Sequence, residues 1–205
     1  QSGVYRSPGM TRLAKELDRR RPEAILDLGM SSTENVNYLS RFTTNLCIQD
    51  LFHGACDEPG RRSEAFRFDH PETLRLPDES ERFDIVLMWD LIHYVEGADR
   101  RSFIARLASY CRPDAFVFLL GSSSAQIPLV PIQFKIDSDD ALHYTLPEGG
   151  RMESAGLTTR EVEGLMVDFA PIRCFQLRNG FQEFLFRYRG SAEKSESQAA
   201  DPAAV

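Results

Sequence analysis

The chain reads as short apolar runs alternating with stretches of helical spacing. Leu13, Ala14 and Leu17 share one face of a short helix that is expected to end at Arg19-Arg20-Arg21, ahead of Pro22. Residues 24–29 (Ala-Ile-Leu-Asp-Leu-Gly) are compact and apolar, as in a strand buried on both faces. Val36, Leu39 and Phe42 then recur at helical spacing, which predicts a helix over about 34–42, and residues 45–51 form a second strand with Asp50 at its end. Strand, helix, strand in this order is a βαβ unit, whose strands run parallel.

The alternation continues. Residues 66–69 read as a short third strand and 82–89 as a fourth, apolar along its length. Phe103, Ile104, Leu107, Ala108 and Cys111 mark the buried stripe of an amphipathic helix that stops at Pro113, and 115–121 form a fifth strand. This predicts an α/β domain with helices on both faces of one sheet. Beyond Ser122-Ser123-Ser124, residues 134–136 and 142–146 flank Asp137-Ser138-Asp139-Asp140, the pattern of a small inserted hairpin. Thr158-x-x-Glu161 is a capping box opening a helix through about Val167. Residues 172–178 and 181–188 bracket Asn179-Gly180, which predicts an antiparallel hairpin with a type I′ turn and positive φ at both residues. Residues 191–205, rich in Ser, Ala and Glu, are expected to be a disordered tail.

With 205 residues, 42% of them hydrophobic, the chain supports one core, expected over residues 10–190. A net charge of -7 argues against a surface that neutralises nucleic-acid phosphates. No apolar run approaches the roughly 20 residues that span a bilayer. Gln1-Ser2-Gly3 lacks the apolar core of a signal peptide, and Met10 is the expected natural start, so a cytoplasmic protein is expected. Cys47, Cys56, Cys111 and Cys174 are widely spaced and form no C-x-x-C pair, which points to reduced thiols and to no metal site.

The candidate chemistry collects at strand ends. Asp27 and Gly29 close the first strand, and Asp50 lies about 20 residues beyond the glycine, where such folds hold a ribose through its hydroxyls. An acid there also caps turns, and Asp69 before His70-Pro71 reads as a turn acid as readily as a ligand contact. Ser31-x-x-Glu34 reads as a capping box that satisfies the helix N–H groups without any ligand. Trp89, Asp90, His93 and Tyr94 follow the fourth strand, at the edge where open α/β sheets bind ligands. Asp90 or His93 is a candidate base for a hydroxyl or amine; His93 and Tyr94 also suit an inert, half-buried first turn of a helix. The dehydrogenase fingerprint G-x-G-x-x-G and the hydrolase elbow G-x-S-x-G are both absent.

Leu26-Asp27-Leu28-Gly29 at the first strand end, Asp50, Asp69, Phe83-Asp84-Ile85-Val86-Leu87 and the terminal hairpin, taken in this order over about residues 10–189, resemble the class I S-adenosylmethionine-dependent methyltransferases. The segments 177–186 and 89–94 further resemble an uncharacterised bacterial branch of that superfamily. The resemblance implies a three-layer, Rossmann-like sandwich on a mostly parallel seven-stranded sheet. It also implies S-adenosylmethionine as cofactor, lined by Asp27, Gly29, Ser31, Asp50, Asp69 and Trp89, and Asp90 or His93 as the catalytic base. The substrate would be an unidentified small molecule or protein. In the family pattern D-x-G-x-G-x-G, Ser31 and Thr33 replace the second and third glycines, and the Asn-Pro-Pro-aromatic motif of relatives that methylate nucleobase or glutamine nitrogens is missing. The second reading is a methyltransferase fold without catalysis, used as a binding or regulatory module.

Overall fold

The structure, a computed structural model, describes residues 1–51, 81–154 and 156–190. Ahead of the expected start at residue 10, β1 (Ser2–Arg6) pairs antiparallel with β8 (Ala141–Thr145), which in turn pairs with β7 (Gln133–Ser138). The expected hairpin insertion is thus two strands of a three-stranded sheet whose third strand is the N-terminus. Helix α1 (Pro8–Arg20) starts on Ser7, whose hydroxyl accepts from the Met10 N–H, with Pro8 in the first turn where a missing N–H costs nothing.

The main sheet takes β2 (Ala24–Asp27), β3 (Asn45–Ile48), β4 (Phe83–Trp89), β5 (Cys111–Ser122), β10 (Phe169–Gln176) and β11 (Phe181–Tyr188). Among the described residues its order is β10-β11-β5-β4-β2-β3. Strands β2, β3, β4 and β5 are joined by parallel pairings, whereas β11 lies between β5 and β10 and runs antiparallel to both, so the sheet is mixed. The third expected strand, 66–69, and the tail, 191–205, lie outside the described residues. A separate two-stranded antiparallel pair joins β6 (Gln126–Pro128) to β9 (Arg151–Glu153).

The strand alternation sorts side chains onto two faces. Val86 and Met88 pack with Phe103, Ile104 and Leu107 of α3 (Arg100–Ser109) and with Val162 of α4 (Thr159–Leu165). Ile85, Leu87 and Trp89 pack with Met10, Leu13 and Leu17 of α1, Tyr38 and Leu39 of α2 (Thr33–Leu39), and Phe134, Ile136 and Leu142 of the small sheet. This gives three layers around one sheet. Helix α4 carries the expected capping box, with Thr158 and Glu161 each accepting from the other's backbone N–H. The terminal turn differs from expectation. Gly180 is left-handed at φ 89, but Asn179 is not among the residues with positive φ. The Leu177 carbonyl accepts from the Gly180 N–H and the Leu177 N–H donates to Phe181, so the loop has three residues, a type I turn followed by a left-handed glycine. Among the described residues no helix is long and apolar enough to cross a membrane.

Candidate functional site

The expected site residues sit along the C-terminal ends of β2, β3 and β4. Asp27 ends β2 inside the sheet and is 1% exposed. Its Oδ1 accepts from the Gly29 N–H at 2.9 Å and from the Trp89 indole N–H at 2.6 Å. Burial pushes the Asp27 carboxyl up to about 6, against the pull of those two donors. The structure therefore brings Asp27, Gly29 and Trp89 into one cluster.

Trp89 ends β4 where the pairing with β5 shifts register after Leu87, and its φ of 49° is unusual for a bulky residue. Bulges beside a sheet's ligand edge re-aim a side chain, and strain of this kind persists only where the surroundings over-determine it. Here they do. The indole lies flat on Phe134 of β7, with centroids 5.9 Å apart and planes within 5°, and meets Phe118 edge-on. A Cβ at position 29 would stand 2.4 Å from the indole Cδ1 and Nε1, so only glycine fits there. The close approach that Gly29 permits is filled by the chain's own indole.

Asp50 and Ser31 also meet: Asp50 Oδ2 accepts from the Ser31 N–H at 3.1 Å, joining the loops after β2 and β3. The expected Ser31-to-Glu34 capping box is not formed. The cap is Ser32, extended at φ -144 and ψ 142, whose hydroxyl accepts from the Asn35 N–H. Glu34 is drawn instead to Lys135 of β7 at 2.8 Å. Ser31 is exposed and Asp50 is half-buried. Asp69 lies outside the described residues.

Asp90 and His93 line a second space, a cavity of about 220 Å³ at the ends of β4 and β5. Asp90 is 7% exposed; its Oδ2 accepts from the Ile132 N–H at 3.3 Å, and Oδ1 has no hydrogen-bond partner among the described residues. Burial raises this carboxyl to about 7. His93 sits in the short 3-10 turn Leu91–His93, and its Nε2 accepts from the Ser122 N–H at 2.8 Å. That bond occupies the ring's lone pair and leaves the proton on Nδ1, 3.4 Å from Ser154 Oγ. Burial, with the nearby Arg100 charge, lowers His93 to about 4. Of the two expected bases, Asp90 has an unused oxygen and a proton affinity matched to neutral pH; His93 acts as a neutral strut for the Ser122 loop.

Several residues of this region carry no motif. Phe134, Tyr144 and Phe181 form its aromatic wall, with Phe181 edge-on to both of the others at 5.5 Å. Asn35, 1% exposed, locks α2 to β7 by donating to the Phe134 carbonyl and accepting from the Ile136 N–H. Glu183 of β11 is fully buried, its Oε2 accepting from the Gly9 N–H at 2.6 Å, and burial raises its pKa. One signal for Glu183 existed: strand alternation sets it on the same face as Phe181 and Leu185, an acid pointing inward.

No family model matches the sequence, and no curated protein matches it. Solved structures do. An S-adenosylmethionine-dependent methyltransferase from Clostridium acetobutylicum superposes with a TM-score of 0.55 at 10% identity, over 89% of this chain and 91% of that one. The 1,6-didemethyltoxoflavin-N1-methyltransferase of Burkholderia thailandensis, solved with 1,6-didemethyltoxoflavin and S-adenosylhomocysteine bound, superposes with a TM-score of 0.50 at 16% identity, over 89% of this chain and 79% of that one. At such identities the likeness is one of architecture. The chain has the α/β fold of the S-adenosylmethionine-dependent methyltransferases.

Proposed function

We propose that the protein is an S-adenosylmethionine-dependent methyltransferase acting on a small molecule. The observation that carries this reading is the placement of Asp50, whose carboxylate accepts from the Ser31 N–H beyond the ends of β2 and β3, in a sheet whose β4 end carries Asp90 in the lining of a cavity. Open α/β sheets bind ligands at this edge, and the Burkholderia neighbour holds both S-adenosylhomocysteine and a small substrate.

The chain's residues fit the cofactor at its ribose end. Asp50 offers a half-buried carboxylate to a pair of hydroxyls, and the exposed Ser31 stands beside it. Gly29 is covered by Trp89, so the indole rather than the glycine would be the wall next to the ligand. Asp69 is assigned to the adenine amino group on the family resemblance alone. When bound, S-adenosylmethionine supplies a methyl group made electrophilic by its sulfonium. The remaining work falls to this chain. Asp27 holds the Gly29 N–H and the Trp89 indole in place. Asp90, near its midpoint at neutral pH, takes up the proton that an acceptor nitrogen or oxygen gives up.

Calorimetric titration of the full chain with S-adenosylhomocysteine tests the reading. Saturable binding is expected, and a folded protein that takes up none at millimolar ligand would overturn it.

A further inference from the structure

The cavity at the ends of β4 and β5 has a chemical character of its own. It is bounded by Asp90 and Tyr94 beyond β4, by Leu120 and Gly121 of β5, and by Tyr144 and Phe181. Tyr94 takes no proton-donating role toward a ligand, because its hydroxyl donates to the Val130 and Pro128 carbonyls. Asp90 is the buried acid of the lining, and one of its oxygens lacks any hydrogen bond among the described residues. A buried carboxylate with an unmet acceptor is costly unless a donor or a cation completes it.

The groups behind the cavity strengthen this preference. Glu183 of β11, fully buried, shares a neighbour with Asp90: burial raises the pKa of the Tyr5 hydroxyl, and the charges of Glu183 and Asp90 both add to the rise. Asp90 is the acid of this pair that lines the cavity. Tyr144 and Phe181 present aromatic surface in the same lining, and aromatic faces attract cations. Arg151 lines the cavity too, but on the exposed β9, where water screens its charge.

We infer that this cavity receives a small organic amine in its ammonium form, with the nitrogen on Asp90 and the carbon skeleton against Tyr144 and Phe181. As an account of the acceptor substrate this rests on the methyltransferase reading; as a binding site it stands without it. The missing Asn-Pro-Pro-aromatic motif is consistent with this assignment. That motif belongs to relatives that methylate nucleobase and amide nitrogens, which carry no charge for a carboxylate to hold, whereas an ammonium pairs with one and has no lone pair until a base such as Asp90 takes its proton.

The test is calorimetry on the full chain at pH 8 with phenethylamine, which is cationic there, and with 2-phenylethanol, its neutral near-isostere, each with and without S-adenosylhomocysteine. The amine is expected to bind at least tenfold more tightly than the alcohol. Asp90→Asn should erase that preference and leave the alcohol unchanged, and Tyr144→Ala should weaken the amine several-fold, with circular dichroism confirming that each variant is folded. Should Asp90→Asn not fold, Tyr144→Ala and the amine-to-alcohol ratio of the parent decide. Equal affinity for the two probes, a preference that survives Asp90→Asn, or no binding of either probe would overturn the inference. Amine binding without S-adenosylhomocysteine binding would sustain the site and overturn the methyltransferase reading; the reverse pattern would do the opposite.

Discussion

Replacing Trp89 by Phe removes one of the two hydrogen bonds that reach the buried Asp27 Oδ1. It also removes part of an indole packed between Gly29, Phe118 and Phe134, a loss on the order of 1–2 kcal/mol that does not depend on pH. The hydrogen bond does depend on it. Asp27 titrates at about 6 in the folded protein and at 3.8 when free of the fold, so the native state holds more protons between those values. The contribution of this group to stability therefore falls as pH rises through that window, because above it a charge must be kept buried. At pH 8 the indole N–H serves a carboxylate, a bond worth about 1.5–3 kcal/mol; at pH 5 it serves a mostly neutral carboxyl, worth about 0.5–1.5 kcal/mol. Trp89→Phe should thus destabilise the domain by about 1–1.5 kcal/mol more at pH 8 than at pH 5. Asp90 and His93 also titrate abnormally, but they do so in parent and variant alike and cancel in the difference. Urea unfolding followed by far-ultraviolet circular dichroism suits the comparison, since Trp89 is the single tryptophan and the variant loses its fluorescence. Equal destabilisation at the two pH values would refute the claim that the indole stabilises a buried charge.

Four further outcomes are expected. Gly29→Ala places a methyl 2.4 Å from the indole and should cost about 1–3 kcal/mol by overpacking; a melting curve like the parent's would show that Trp89 does not press on the loop. Gly180→Val forces a β-branched residue to φ 89 and should cost about 1 kcal/mol or more in chemical denaturation; a parent-like midpoint would show that the turn does not need the left-handed glycine. Asp50→Ala should weaken S-adenosylhomocysteine by about 1–3 kcal/mol in calorimetry, and unchanged affinity would remove Asp50 from the ligand's reach. Phenethylamine affinity should rise about tenfold from pH 6 to pH 8 as Asp90 ionises around 7 beside Tyr5, Tyr94 and the already neutral His93, and Asp90→Asn should flatten that profile.

Strands β2, β4 and β5 of the main sheet were legible because both faces are covered, which leaves compact apolar runs that periodicity detects. Strand β1 was not. Ser2-Gly3-Val4-Tyr5-Arg6 has too few apolar residues to declare itself, with Val4 58% exposed, and it exists because β8, far along the chain, offers a free edge. The turn at Asn179-Gly180 was misjudged by one residue of loop length, since the pair Asn-Gly serves both a two-residue loop and a left-handed glycine closing a three-residue one. The candidate acids Asp27, Asp50 and Asp90 were singled out by position alone. What sequence could not supply was their environment: that Asp27 would be sealed by Trp89, that the Nε2 of His93 would be spent on Ser122, and that one oxygen of Asp90 would find no hydrogen bond among the described residues.

The same environment accounts for the loop that departs from the family's glycine pattern. A glycine is required where something approaches the backbone closer than a Cβ allows, so the need at each position depends on what presses there. At Gly29 the pressure comes from the indole, held by its hydrogen bond to Asp27 and by its stack on Phe134. Phe134 is in turn fixed through Asn35, which grips β7 from α2, and through β8, which β1 completes. Ser31 and Thr33 are exposed, and Thr33 is already the first residue of α2, where the ordinary helical backbone needs no glycine. The substitutions therefore fall on positions where the chain's own packing tolerates a side chain, and glycine is kept at the one position where packing does not. A loop of this kind presents a tryptophan face and a serine to whatever lies in the crevice. The departure from the pattern is thus explained by what stands over the loop, without requiring that the crevice be closed.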